Sequence, residues 1–268
     1  MNGKVFLVGA GPGSVDLLTL RAARAIEGAD VILYDALIGT DILQLANKNA
    51  RLINVGKRCG KKALSQEDIN ALLVYWARSG DLVVRLKGGD PGVFGRGAEE
   101  ATALREANIE FQIIPGVTAA CSAAAAAGIS LTDRNVASQV VFATAHHSDE
   151  NADRNFATAA REGRTLVLYM PGHDYERIYS ELRQSGLPSD TPCVVVSKIA
   201  AVDQQVTWTN LHSLTTYSIL PSPSVLIIGE VARRQSANVA DEIQISTWSD
   251  AVAQQYWTRL EDDRQISA

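Results

Sequence analysis

Cysteine is scarce in this chain: Cys59, Cys121 and Cys193 lie far apart, with no C-x-x-C pair and no histidine pattern beside them. That argues against a disulfide framework and against a structural zinc site. Only one pair of adjacent histidines occurs, His146-His147. Neighbours on a strand point to opposite faces, so this pair reads as a polar loop or strand end and no metal is expected. No run of about eighteen apolar residues exists, and Met1-Asn2-Gly3-Lys4 leads straight into the strand-like Val5-Phe6-Leu7-Val8. Neither a membrane span nor a signal peptide is therefore expected, and the expected location is the cytoplasm. An excess of positive charge is missing too: the formal net charge is −5, which argues against a generic nucleic-acid binder. No tandem repeat is found.

What is present is a hydrophobic fraction of 46% over 268 residues, ample for one large or two modest domains. The chain is organised around Val83-Val84-Arg85-Leu86-Lys87-Gly88-Gly89-Asp90-Pro91-Gly92-Val93-Phe94-Gly95-Arg96-Gly97. A β-branched run enters a loop with five glycines in ten residues, and a helical segment follows from Ala98. Glycines at this density let backbone approach a ligand closely. Ligands of open α/β sheets bind beyond the carboxyl ends of strands.

Other segments repeat the alternation. Val5–Val8 ends in Gly9-Ala10-Gly11-Pro12-Gly13, and a helix is expected over Asp16–Ile26. The glycine spacing is not G-x-G-x-x-G, so no dinucleotide site is assigned. A second buried strand, Asp30 to Leu37, presents Asp35 at its polar end, either as a turn cap or as an acid or base. Arg51–Gly56 is a third strand. Ser65 caps the next helix with Asp68 three positions on, and Glu110–Ile114 is a fifth strand closed by Pro115-Gly116-Val117-Thr118-Ala119-Ala120. Seven alanines between Ala119 and Gly128 point to a closely packed helix. Further strands are expected at 139–144, 165–170, 193–197 and 224–229, with a helix over Tyr175–Ser185. The fold class is thus α/β, with two α/β domains of mainly parallel or mixed sheets and a cleft between them. The expected boundaries are 1–118, 119–234 and a tail at 235–268, in which Trp248 to Asp262 can form a helix. Lys57, Arg58, Lys61 and Lys62, with Arg85, Lys87 and Arg96, place basic segments near the cleft. They suit either a solvated loop or a polycarboxylate ligand.

The string Arg85 to Gly97 resembles the signature of the tetrapyrrole methylases, and within them the uroporphyrinogen-III C-methyltransferases. Tyr34-Asp35-x-Leu37, Gly56-Lys57-Arg58, Pro115 to Ala120, Tyr169-Met170 and Pro223-Ser224-Val225 are similar to further segments of that family in the same order. Where relatives commonly have Gly-Thr-x-x-x-Gln, this chain reads Ile199-Ala200 and then Gln204.

The resemblance implies transfer of methyl groups from S-adenosylmethionine to rings A and B of uroporphyrinogen III. The product would be precorrin-2, for sirohaem, cobalamin or haem d1 synthesis. By the same resemblance Asp35 accepts a proton and Lys57 donates one. Pro12, Gly88, Gly89, Asp90, Val93, Thr118, Ala119, Met170, Ile199, Ser224 and Val225 hold the methyl donor. Leu37, Arg58, Phe94 and Tyr169 face the tetrapyrrole. A homodimer is implied, with no nucleic acid or membrane partner. Alternatives are a methylase of a later precorrin, or a non-catalytic protein that binds S-adenosylmethionine or a tetrapyrrole.

Overall fold

The computed structural model describes residues 3–56, 64–145, 156–217 and 220–233. Its first sheet contains β1 (Lys4–Gly9), β2 (Val31–Tyr34), β3 (Arg51–Asn54), β4 (Leu82–Lys87) and β5 (Glu110–Ile114). The spatial order is β3-β2-β4-β1-β5, and every pairing is parallel. Parallel sheets need helices on both faces, which is why the central strands read as continuous apolar runs. Val5, Leu7, Val31, Leu33 and Val83 pack on one face against α3 (Gln66–Arg78) and α4 (Gly97–Glu106). Val8, Ile32, Val84 and Leu86 pack on the other against α1 (Leu20–Glu27).

Helix starts follow their caps. Ser65 and Asp68 form a reciprocal capping box at α3, as the sequence pattern predicts. The helix expected from Asp16 begins four residues later. Val15–Leu17 makes a single 3₁₀ turn and Leu18 is extended, and Thr19 then caps α1 by accepting from the Ala22 N–H. Between α1 and β3 a one-turn helix, α2, spans Thr40–Leu43.

A second sheet contains β6 (Gln139–Thr144), β7 (Arg164–Tyr169), β8 (Pro192–Ser197), β9 (Gln205–Asn210) and β10 (Ser224–Ile228). It is mixed: the order is β6-β7-β10-β8-β9, with β6 and β7 parallel and the other pairs antiparallel. Strand β9 has no counterpart among the strands expected from sequence. Its residues are mostly half-buried and its pattern of Val, Thr and Trp between polar positions is weak; pairing with β8 stabilises it. One face buries Leu166, Leu168, Val195 and Leu226 against Ile178 and Leu182 of the helix Tyr175–Gln184. The other packs Val167, Val194, Val196, Val225 and Ile227 on Ala120, Ala123 and Ala124 of α5 (Ala119–Ala126). The small side chains let α5 lie close to the sheet. Met1–Arg233 clusters as one compact unit that includes both sheets. No described helix is long and apolar enough to cross a membrane.

Three strand ends meet with almost no clearance. A Cβ added at Gly116 would lie 2.3 Å from the Gly89 carbonyl oxygen, and one at Gly9 would lie 2.6 Å from that oxygen and from the Gly116 nitrogen. Gly116→Ala is therefore expected to destabilise the protein by about 1–3 kcal/mol, as overpacking does. A urea midpoint equal to that of the parent protein would contradict the close approach.

Candidate active site

Strands β1 and β4 are neighbours, but the helices that follow them cross opposite faces of the sheet: α1 on one side and α4 on the other. Their outgoing loops must part, and a crevice opens at such a switch point. Its floor is backbone. Gly11 and Gly89 exchange hydrogen bonds, N–H to carbonyl, at 3.2 and 2.7 Å, each with a positive φ near 70°. Asp90 accepts from the Gly92 N–H at 2.7 Å and from the Gly116 N–H at 3.0 Å. Its two carboxylate oxygens thus tie the loop after β4 to the loop after β5. Gly88 faces open space, with nothing within 4 Å of where its Cβ would be.

The facing wall comes from the second sheet. Tyr169, at the end of β7, forms a 2.6 Å hydrogen bond with the Thr118 hydroxyl and accepts from the Ala120 N–H at 3.1 Å. Thr118 is the N-cap of α5 but its own side chain makes no capping bond, so Tyr169 satisfies an N–H that the helix leaves free. Burial pushes the Tyr169 phenol above its ordinary pKa. Tyr169 is 8% exposed, its hydroxyl is engaged by α5, and its ring lies against that of Phe94 with centroids 4.9 Å apart. Val225 pairs in register with Tyr169 on one side and Val196 on the other, while Ser224 pairs with Ser197.

The loop between β8 and β9 completes this wall. Lys198 pairs with Asp203, and Gln204 accepts from the Ala200 N–H at 2.9 Å. The glutamine kept from the family pattern therefore pins the turn. A Cβ at Gly13, the residue after Pro12, would lie 3.9 Å from the Ile199 carbonyl oxygen, so the loops after β1 and β8 face each other. Phe94, Arg96, Met170, Lys198 and Ala200 all have positive φ. Among the described non-glycine residues only Asn108 joins them. Sparsely populated backbone states thus gather at the strand ends around the crevice.

Asp35 follows β2 at the same end of the first sheet. Arg85 donates to it at 2.5 Å, to Glu100 at 2.9 Å, and to the Leu86 carbonyl at 3.1 Å. Lys87 donates to the same Glu100 oxygen at 2.8 Å, and Gln66 does so at 3.2 Å. Arg85 and Lys87 are each 2% exposed and Glu100 is 0% exposed. Burial, with the neighbouring Arg85 charge, holds the Lys87 ammonium below its ordinary pKa. This corrects the expected basic rim for Arg85 and Lys87, which lie on the α3/α4 face and are matched internally; Arg96 is exposed and pairs with Glu99 at 2.7 Å. Strand parity, which sets Arg85 and Lys87 beside Val83, was the sequence signal for an inward acid that the Glu99-Glu100 pair alone did not specify.

The structure thus brings together Gly88, Gly89, Asp90, Val93, Thr118, Ala119, Ile199 and Val225, with Asp35 held by β4. Val93, Ala119 and Ile199 pack against the same apolar cluster as Val225. Leu37, Phe94 and Met170 are 67%, 42% and 45% exposed. Pro12 and Ser224 are half-buried. Lys57, Arg58, Cys59, His146, His147 and the tail lie outside the described residues.

A sequence profile of the tetrapyrrole (corrin/porphyrin) methylases matches residues 4–215. A siroheme synthase of Zymomonas mobilis is 43% identical over 236 residues, 88% of this chain and 50% of its own length. One from Klebsiella pneumoniae is 45% identical over 233 residues, 87% of this chain and 50% of its own. The chain spans about half the length of the curated relatives it matches. Uroporphyrin III C-methyl transferase from Thermus thermophilus has a similar structure, with a TM-score of 0.75 and 33% identity over 86% of this chain and 99% of that one. A Thermus thermophilus structure complexed with S-adenyl homocysteine also gives 0.75 and 33%, over 88% and 98%.

Tyr169→Phe keeps the ring contacts but strips the Ala120 N–H of its acceptor. We expect a loss of about 1–2 kcal/mol, the cost of an unsatisfied buried donor. An unchanged thermal midpoint by circular dichroism would show that the hydroxyl does not cap α5.

Proposed function

The chain belongs to the tetrapyrrole methylase family, and from that premise we propose that it methylates uroporphyrinogen III from S-adenosylmethionine, on rings A and B, to give precorrin-2. The observation that carries this reading is the placement of Asp35. A carboxylate fixed by buried Arg85 stands at the end of β2, at the same sheet edge as a backbone-walled crevice. The product would enter sirohaem or cobalamin synthesis.

The residues present fit the methyl donor. Gly88 leaves open space beside β4, and Gly89 comes near the Ala119 nitrogen, 3.9 Å from where a Cβ would be. A flat or folded ligand can approach peptide groups directly there. Gly88, Gly89, Asp90, Val93, Thr118, Ala119, Met170, Ile199, Ser224 and Val225 would hold it, with Pro12 at the entry to the first loop. Bound there, S-adenosylmethionine supplies an electrophilic methyl group. Asp90 contributes by fixing the loop, since both its oxygens accept from backbone N–H groups. Asp35 accepts a proton at a carboxylate oxygen as the methylated macrocycle rearranges, with Arg85 holding its other oxygen. Leu37 and Phe94 offer exposed apolar surface to the tetrapyrrole, and Tyr169, whose ring lies against that of Phe94, lines the same wall toward it. Lys57 as proton donor and Arg58 as a contact to a substrate carboxylate complete the reading. Positioning of the two reactants supplies most of the acceleration. We also propose that the protein acts in the cytoplasm as a homodimer; sedimentation of a monomer at working concentration would remove the dimer.

The first experiment is anaerobic incubation of the protein with uroporphyrinogen III and S-adenosylmethionine, following S-adenosylhomocysteine and product mass together. Two methyl groups per tetrapyrrole are expected. Cofactor binding without transfer, beside an active control enzyme, would overturn the reading in favour of a later precorrin or a binding role. Asp35→Asn is expected to bind S-adenosylmethionine normally and to turn over more slowly by about 100-fold or more, the usual scale of general base catalysis. Parent-like turnover would remove Asp35 from the chemistry. Gly88→Ala puts a methyl into the crevice without touching the fold: affinity for S-adenosylmethionine should fall in calorimetry while the melting midpoint stays within about 0.5 kcal/mol of equivalent stability. Unchanged affinity would place the ligand elsewhere.

A further inference from the structure

Glu100 has no part in the roles given so far, yet it is the point on which the charged groups beneath the crevice converge. One carboxylate oxygen, Oε1, accepts from Arg85 at 2.9 Å, Lys87 at 2.8 Å and Gln66 at 3.2 Å. The other oxygen, Oε2, is buried and has no hydrogen-bond partner. The side chain stands in the first turn of α4, where the free N–H groups of a helix favour negative charge. It therefore ties the start of α4 and the start of α3 to β4.

Two consequences reach the crevice. The Arg85 guanidinium donates from Nε to Glu100 and from Nη2 to Asp35, so a planar, rigid group links the two carboxylates and the orientation of one follows from the position of the other. Lys87 lies beneath the glycine loop, its Cε 3.4 Å from where a Cβ on Gly95 would be. Buried ion pairs add little net stability compared with apolar residues of similar size. What they provide is direction, because each donor has a fixed geometry.

We propose that Glu100 is a positioning residue for methyl transfer: through Arg85 its buried carboxylate sets the orientation in which Asp35 meets the substrate. The proposal rests on the reading of Asp35 as proton acceptor.

A double-mutant cycle tests it. Glu100→Gln keeps the shape and one acceptor oxygen but loses the charge that balances Arg85 and Lys87. Single-turnover methyl transfer at saturating concentrations should slow by about tenfold or more, with the dissociation constant for S-adenosylmethionine within about threefold of the parent value. In the Asp35→Asn background the same change should have no further effect on that rate, since the group it orients is already gone. Equal slowing in both backgrounds would assign Glu100 a purely structural role and overturn the proposal, as would a parent-like rate for Glu100→Gln alone. If Asp35→Asn itself reacts at the parent rate, the reading of Asp35 fails first and the proposal falls with it. Should Glu100→Gln melt below the assay temperature, the same cycle is run with Glu100→Asp. That variant keeps the charge but withdraws it by one methylene, and its slowing should likewise vanish beside Asp35→Asn.

Discussion

The contact among Gly9, Gly89 and Gly116 is the constraint from which the rest of the site follows. Three parallel strand ends come so close that peptide groups touch where side chains would otherwise stand. This lets Gly11 and Gly89 pair across the switch point, and it brings the Gly116 N–H within reach of the Asp90 carboxylate. The crevice is consequently walled by main chain, and its shape is held by backbone hydrogen bonds and one bracketing aspartate. Phe94, Met170 and Leu37 are exposed side chains on the loops that follow β4, β7 and β2.

A second constraint is electrostatic. Two cations, Arg85 and Lys87, are buried in the strand that carries the glycine loop, beside Glu100 and Asp35. Burial of either cation without a partner would cost several kcal/mol. Matching them inside the fold turns charge into geometry, linking β4 to two helices and to the carboxylate that follows β2. The second sheet contributes by a different route. Tyr169 crosses from β7 to the start of α5 and supports the Phe94 ring, so the polar and aromatic halves of one residue tie the two sheets together.

Much of this was legible in sequence. Short runs rich in apolar residues marked the five parallel strands, four of them followed closely by glycine or proline, and Ser65 with Asp68 marked a helix start. The family signature named the strand ends around which the site assembles. The start of α1 was misread because Leu17 and Leu18 continue an apolar helical pattern, whereas the Thr19 hydroxyl bonds the Ala22 N–H and fixes the boundary. Strand β9 was missed because an alternating half-buried strand has little signal until β8 supplies its partner. Gln204, which the chain keeps from the Gly-Thr-x-x-x-Gln pattern, closes its turn.

Local periodicity, glycine placement and turn chemistry act over a few residues, so the amino-acid order alone determined the α/β class, the strands of the first sheet and the family. Whether a charge faces ligand or core depends on strand order and on which helix covers each face, and those are set by contacts between distant segments. Only the tertiary structure could therefore turn Arg85 and Lys87 inward to Glu100, give Tyr169 its capping bond, and bring Ile199 opposite Gly13. Hydrogen bonds and ion pairs are short-ranged and directional: a sequence lists the groups that can make them, and the packed chain selects which groups meet.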